Sequence, residues 1–497
     1  MLRALVLCLS ALVLVVPGAA AAQEAGTDSF SNATSSPAAA PSVVRLPPVK
    51  PLNIPETFRA KPLPAPAAEN DDAQRAPESG PATEDNSVVP VWYQAGDPGL
   101  REAEAKGWVD VSNDKWTVRL GGHVQADLIE WANKDPAITS PLARDYFEFR
   151  RLRLVADGAG YGVYDFRLQL TLEPEVTNET LGNTFPAVKD AYFSVNEIPF
   201  LGRLRIGNFF VPTSLEQITN DTNTVFLERS VPSQGTFTFD REPGICLYNC
   251  SADQNITWST GIFIDNISDA VQERIDNNMG YRLAGRLTWN PYYDEASNGR
   301  YMVHTGVNIC YTDDHDDLAR FRARPQVHEG PFLIDSGSFP AKYFTVSNFE
   351  FATVLGPFCL QSEAFLTSVD RSTDGLSKAW IYGAYAYFTY CLTGENRNFD
   401  RFGQHGAQFG RFVPRSNVFW TPGGSSWGAW ELKARWSSLG ENQLEAGQYN
   451  DFTFGINWYW TDRVRCLLDW IHPITTPQTV YGATKSDLIA MRFDFNW

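Results

Sequence analysis

DFRLQLTLE, residues 165–173, puts Asp165, Arg167, Gln169, Thr171 and Glu173 in one phase of a two-residue repeat and Phe166, Leu168, Leu170 and Leu172 in the other. Successive side chains of a β-strand point to opposite faces, so this stretch reads as a strand with one charged and one apolar side. The repeat recurs along the chain. In 281–290, Tyr281, Leu283, Leu287 and Trp289 oppose Arg282, Arg286, Thr288 and Asn290. In 429–437, Trp430, Leu432, Ala434 and Trp436 oppose Glu431, Lys433, Arg435 and Ser437, and in 463–470 Val464, Cys466, Leu468 and Trp470 oppose Arg463, Arg465 and Asp469. A soluble two-sheet sandwich also alternates, but its solvent face favours small polar residues and Lys. Here the polar face is Arg with Asp, Glu and Gln, and the apolar face is large and aromatic at its ends, which suits lipid outside and a charged aqueous lumen inside.

Working outward from these stretches, strand patterns occupy 115–131, 145–157, 161–172, 187–197, 202–211, 243–249, 255–265, 281–290, 299–311, 341–354, 358–369, 377–391, 427–437, 451–461, 463–472 and 485–497. The expected fold is all-β, a transmembrane antiparallel β-barrel of about 16 strands, an even number as bacterial barrels require. Loop lengths check the count. With both termini periplasmic, every second connection should be short: 158–160, 198–201, 250–254 and 355–357 are, while 212–242, 312–340 and 473–484 on the other side are long. Segment 392–426 breaks the rule, being long on the short side. Either the count slips by a pair there or the segment folds back into the channel. The last strand, with Ile489, Met491, Phe493, Phe495 and Trp497 in one phase, has the C-terminal aromatic pattern of an assembly signal for the barrel-assembly machinery.

The N-terminus sets the compartment. Arg3, an apolar run from Ala4 to Val16 and the small residues Ala20, Ala21 and Ala22 form a secretory signal peptide, expected to span 1–22. Residues 23–96, rich in Pro, Ala, Ser and acids, read as a disordered periplasmic linker, and 97–114 as a short transition with a helical turn or two before a barrel at 115–497. No later stretch approaches the ~18 consecutive apolar residues of a membrane-crossing helix, and the mean hydropathy is −0.27. Barrel strands escape that test because they show lipid only alternate residues. The formal charge of −17 argues against nucleic-acid binding. Aromatic residues make up 13% of the chain, which interfacial girdles would use. Cys246, Cys250, Cys310, Cys359, Cys391 and Cys466 lack metal-ligand spacing and read as small apolar residues, with disulfides open in an oxidising compartment.

Several of these stretches together resemble the phosphate-selective porins O and P. The likeness runs through GGHVQAD (121–127), FEFRRLRL (147–154), KDAYF (189–193), LRIGNFFVP (204–212), SLEQITN and VFLERS within 214–230, REPG (241–244), LTGE (392–395) and GAWELKARWS (428–437). The resemblance implies a sixteen-stranded barrel, a homotrimer, and a third extracellular loop folded inward as a constriction. The matching loop is 212–242, with Glu216, Glu228, Arg229 and Arg241 as its recognisable charges. It also implies a ladder of lumen arginines that guides phosphate. The loop departs from a basic constriction, holding Glu216, Asp221, Glu228, Asp240 and Glu242 against two arginines and no lysine.

Read from the residues, the lumen-phase cations are Arg119, Arg167, Arg203, Arg205, Arg282, Arg286, Lys433, Arg435, Arg463, Arg465 and Arg492. A guanidinium stays charged and offers a planar fork of donors to phosphate oxygens, and rings of such groups are how anion pores replace part of a hydration shell. The same side chains can instead pair with inward acids such as Asp127, Asp165, Glu363, Glu431, Asp469 and Asp494. Between Arg150 and Arg151 the phase shifts, which predicts a bulge. No nucleophile elbow, zinc-protease pair or phosphate loop is present, the six histidines are scattered, and the Asp313 to Asp317 run reads as a solvated loop tip, so no enzyme, cofactor or metal is expected. The expected function is an outer-membrane porin in contact with lipid, passing small inorganic anions such as phosphate by passive diffusion. The acidic loop supports a porin for cations or neutral nutrients, and the many Trp a secreted soluble β-rich carbohydrate-binding protein.

Overall fold

Strands whose two faces differ this strongly have to hide every edge as well as one face, and the chain does so by closing. The computed structural model describes residues 109–111, 113, 115–173, 176–177, 180–181, 187–264, 279–371, 375–421 and 423–497. The signal segment, the linker and most of the transition fall outside these residues. Sixteen strands form the wall: β1 (Trp116–Asn133), β2 (Tyr146–Gly160), β3 (Tyr164–Thr171), β4 (Ala187–Ile198), β5 (Gly202–Phe210), β6 (Arg241–Cys250), β7 (Ile256–Ile264), β8 (Tyr281–Tyr293), β9 (Tyr301–Asp313), β10 (Tyr343–Leu355), β11 (Phe358–Asp370), β12 (Ala379–Cys391), β13 (Ala429–Gly440), β14 (Gln448–Tyr459), β15 (Val464–Thr475) and β16 (Asp487–Asn496). Each pairs antiparallel with its sequence neighbours, and β16 pairs with β1 from His123↔Asn496 to Asn133↔Asp487, so no strand edge is left open. Beyond β16, Trp497 N donates to Gly122 O at 3.1 Å and Gly122 N to Trp497 O at 3.3 Å. A Cβ on Gly122 would sit 2.3 Å from Arg153 O and 2.7 Å from the Trp497 ring, so the seam requires glycine there.

The polarity is inverted relative to a soluble sheet. In β16, Phe493 and Phe495 are 38% and 39% exposed while Arg492 and Asp494 are 0% exposed. The apolar phase lies outside and the charged phase inside, which removes the stacked-sheet alternative. Between β1 and β2 the register runs Gln125↔Arg151 and then Ala126↔Phe149, leaving Arg150 as the extra residue of a bulge. Arg150 and Arg151 therefore both turn inward, toward Glu228 and Asp221.

Two details add to the sequence reading. Within the transition segment, Val109–Asp110 pairs with Leu120 and Arg119 as a short strand added to β1. Segment 392–428, the long connection on the short-turn side, is no miscounted pair: it carries a hairpin, 399–403 with 406–409, whose residues bond to wall residues inside the barrel. The six cysteines are free thiols.

Candidate functional site

Segments 211–240 and 399–409 enter the barrel and the lumen cations hold both, while Gln326 of loop 314–342 also reaches the inner wall, donating to Ser437 Oγ at 2.7 Å and accepting from Thr453 Oγ1 at 2.9 Å. The first is 211–240, from the long-loop end. It opens with a four-residue helix, Leu215–Ile218, whose N-cap Ser214 sits at φ 70°. Glu363 in the wall receives this turn: its carboxylate accepts from Leu215 N at 3.1 Å, Glu216 N at 2.8 Å and Ser214 Oγ at 3.1 Å. A carboxylate at a helix start satisfies donors that have no intrahelical partner. Asn348 and Tyr385 orient the same carboxylate, at 3.0 and 2.6 Å.

Rooted at β5 and β6, this loop crosses to β13–β16. There the wall cations grip its backbone: Lys433 Nζ donates to Val225 O at 3.0 Å, Arg465 Nη1 to Thr224 O at 2.7 Å, Arg435 Nη1 to Glu228 O at 2.9 Å, and Arg492 Nη1 to Leu227 O. Each also meets acid. Lys433 pairs with Asp469, Arg435 with Glu216, Arg465 with Asp494, and Arg492 with Asp127 and Glu228. Within the loop, Glu216 accepts from Ser230 Oγ at 2.6 Å, and Arg229 donates to the carbonyls of Glu216, Gln217 and Thr219. Burial pushes the Glu228 carboxyl up, but Arg150 and Arg492 outweigh it and hold it well below the usual carboxylate range. Asp221 is held down likewise against its burial by Arg153 and Arg151.

The second segment is the 399–409 hairpin, from the short-turn end. Arg203 Nη1 donates to Gln404 O at 3.1 Å, Arg167 Nη1 to Gln404 Oε1 at 3.1 Å, and Arg286 Nη2 to Ala407 O at 2.9 Å. Arg205 Nη1 lies 3.3 Å from His405 Nδ1. Burial first, then Arg205 and Arg167, keep His405 well below its ordinary pKa, so the neutral ring can accept a hydrogen bond from the Arg205 guanidinium at Nδ1.

The remaining sequence candidates take other places. Arg282 forms a two-pronged pair with Glu242 at 2.9 Å on each oxygen and lies 3.5 Å over the Phe239 ring. Arg241 belongs to β6 rather than to the loop and pairs with Asp190 at 2.9 Å. Arg463 precedes β15 instead of lining the wall, because Thr461 Oγ1 accepts from Arg463 N and Val464 N and closes a tight turn there. Arg119 is half-buried in β1, opposite Asp157. Phe493, Phe495 and Trp497 lie at the seam, the last two stacked at 5.6 Å.

Above the first loop, at the long-loop end, a vestibule of about 390 Å³ opens between 211–240 and loop 314–342. Its walls include Arg150, Arg229, Arg322, Arg324, Glu228, Asp240, His328 and Phe332. Both acids are already ion-paired, Glu228 with Arg150 and Arg492, Asp240 with Arg241 and Lys189. Arg322 and Arg324 instead stack on Phe332, 4.0 and 4.5 Å from its centroid, with no carboxylate at ion-pair distance among the described residues. A separate cavity of about 10 Å³, room for about one water, lies where the loop meets Gln361, Tyr387, Arg397 and Phe409. The family model for the phosphate-selective porin O and P matches residues 118–497. The chain belongs to that family.

Porin O of Pseudomonas aeruginosa is 22% identical over 398 residues, covering 73% of this chain and 84% of that protein. Among solved structures, OmpT of Vibrio cholerae in its trimer form covers 77% of this chain and 100% of its own at 10% identity and a TM-score of 0.47. The anion-selective porin from Comamonas acidovorans covers 77% and 100% at 10% identity and a TM-score of 0.45. The protein is thus an outer-membrane porin. Sequence reasoning missed several charged residues of this porin's interior: Arg322 and Arg324, in a loop with no periodicity to phase them, and Arg397, in the hairpin segment. The parity violation at 392–426 was the one signal that pointed to the latter.

Proposed function

We propose that this porin passes small anions, inorganic phosphate among them, by passive diffusion, that it performs no catalysis, and that it works as a homotrimer carried behind a cleaved signal peptide and a periplasmic linker. The observation that carries the anion preference is the vestibule. Its carboxylates are already ion-paired with arginine and lysine, whereas Arg322 and Arg324 face it with no carboxylate at ion-pair distance among the described residues. Positive potential at a narrow mouth raises the local anion concentration and repels cations. The ladder arginines take a different role in this reading. Gripping carbonyls and paired with acids, they set the position of the two inward segments, and the ion follows the path those segments leave.

Reversal potentials across planar bilayers in a KCl gradient test the proposal. Wild type should prefer chloride, and R322Q combined with R324Q should lower that preference severalfold. Cation preference in the wild type would defeat it. Phosphate added at millimolar concentration should block chloride current if it shares the path.

A further inference from the structure

After the hairpin the chain leaves the lumen at the short-turn end and does something the strand pattern does not require. Phe412 is still buried, stacked 3.9 Å from Tyr459 inside the barrel. Further along, Phe419, Trp420 and Trp427 lie on the outside of the wall, against Trp458 and Trp460. The segment is tied down by Val418 N to Trp460 O at 2.9 Å and by Trp458 Nε1 to Trp427 O at 2.7 Å. Phe419, Trp420 and Trp427 are 54%, 47% and 63% exposed, yet they are packed together: Phe419 sits 4.9 Å from both tryptophans, and Trp420 sits 5.8 Å from Trp458 and 5.3 Å from Trp460. Trp458 stacks on Trp430 at 4.9 Å, and Trp460 meets Phe493 at 5.5 Å. Trp430, Trp458 and Phe493 belong to the outward phase of β13, β14 and β16 that faces hydrocarbon. The loop cluster therefore continues the lipid-facing wall past the ends of the strands on one side of the barrel.

We infer that residues 413–421 and 423–427 anchor this side of the porin in the headgroup boundary of the periplasmic leaflet, with Phe419, Trp420 and Trp427 immersed in phospholipid. Continuity with the lipid-facing wall selects lipid as the occupant. Indole suits that depth because its ring is apolar and its N–H polar, which is why Trp gathers at membrane interfaces. Ser416, Ser425 and Ser426, bonded among themselves and to the loop backbone, supply the wet side of the same loop. The inference does not depend on which solute crosses the pore.

The full-length porin, labelled with 5-fluorotryptophan and placed in phospholipid nanodiscs, gives the test by fluorine NMR. W420F and W427F each delete one resonance and so assign it, and Trp→Tyr at the same positions serves if either variant folds poorly. A lipid spin-labelled near its headgroup should broaden both resonances severalfold more than a soluble gadolinium chelate does. Broadening by the chelate alone would place the loop in periplasmic water. Broadening by neither would mean that a second copy of the chain or its own N-terminal segment covers the cluster. Either result overturns the assignment.

Discussion

Two buried carboxyls show how much depends on single residues. Glu363 satisfies the donors that begin the inward loop. Removing it in E363A leaves the Leu215 and Glu216 N–H groups buried without their acceptor, at a cost of about 1–3 kcal/mol for each. The loop should then sample other positions, and single-channel recordings should show a larger, noisier conductance; a trace like wild type would mean that the cross-barrel grip of Arg435 and Arg492 suffices alone. Glu441, just past β13 in the loop to β14, is fully buried with neither carboxyl oxygen hydrogen-bonded. Burial, helped by Asp335, pushes it up to about 9 from an ordinary value of 4.5. A raised acid holds its proton in the folded state and releases it in the unfolded one, so its contribution is complete below pH 4.5, declines as pH rises, and is gone above about 9. E441Q should therefore stabilise the barrel by on the order of 3 kcal/mol at pH 7 and flatten the pH dependence across that window. Heat-modifiability midpoints measured at several pH values decide it, and an unchanged slope in the variant would count against the buried acid.

At the scale of elements, the inward hairpin invites the most direct manipulation. Replacing 399–409 by a short Gly-Ser link removes the hairpin groups that Arg167, Arg203, Arg205 and Arg286 touch and opens the lumen beside them, while Arg167 keeps Asp157 and Asp190 and Arg286 keeps Glu350. Conductance and anion preference should both rise severalfold in bilayers, while a heat-modifiable band shows that the wall still closes. Equal conductance would place the hairpin outside the ion path. The wall itself was legible in the amino-acid pattern because each strand has one face in lipid and one in the lumen, and that asymmetry is written as period two. All sixteen segments correspond to strands, and even the bulge at Arg150 shows as a phase slip. Legibility fails where the asymmetry does. β14 begins at Gln448, three residues before the expected start, because Tyr449 and Asp451 share the inner face and mask the alternation. The hairpin has Phe399, Phe402, Ala407 and Phe409 all buried, enclosed by the barrel, so neither face reads as outside. Which cation meets which acid across the lumen is invisible to any local pattern, since Arg492 and Glu228 lie 264 positions apart.

For the whole molecule the question is where along the path anions are selected. The chain carries a formal charge of −17, yet the anion reading rests on a few arginines at one mouth. Charges acting through the water of a vestibule reach about 10 Å at 0.1 M salt and about 3 Å at 1 M. Groups that touch the ion in a dry constriction are screened far less, and here the ladder cations at that depth already hold acids and carbonyls. Selection at the vestibule thus predicts an anion-to-cation permeability ratio that falls steeply between 0.1 and 1 M KCl. It further predicts that R322Q with R324Q matters at the lower concentration and little at the higher. Reversal potentials measured at a fixed tenfold gradient, stepped upward in mean concentration, separate the two cases. A ratio independent of salt would move selection down to the loop and hairpin, and the arginines around Phe332 would then be entry guides without a part in discrimination.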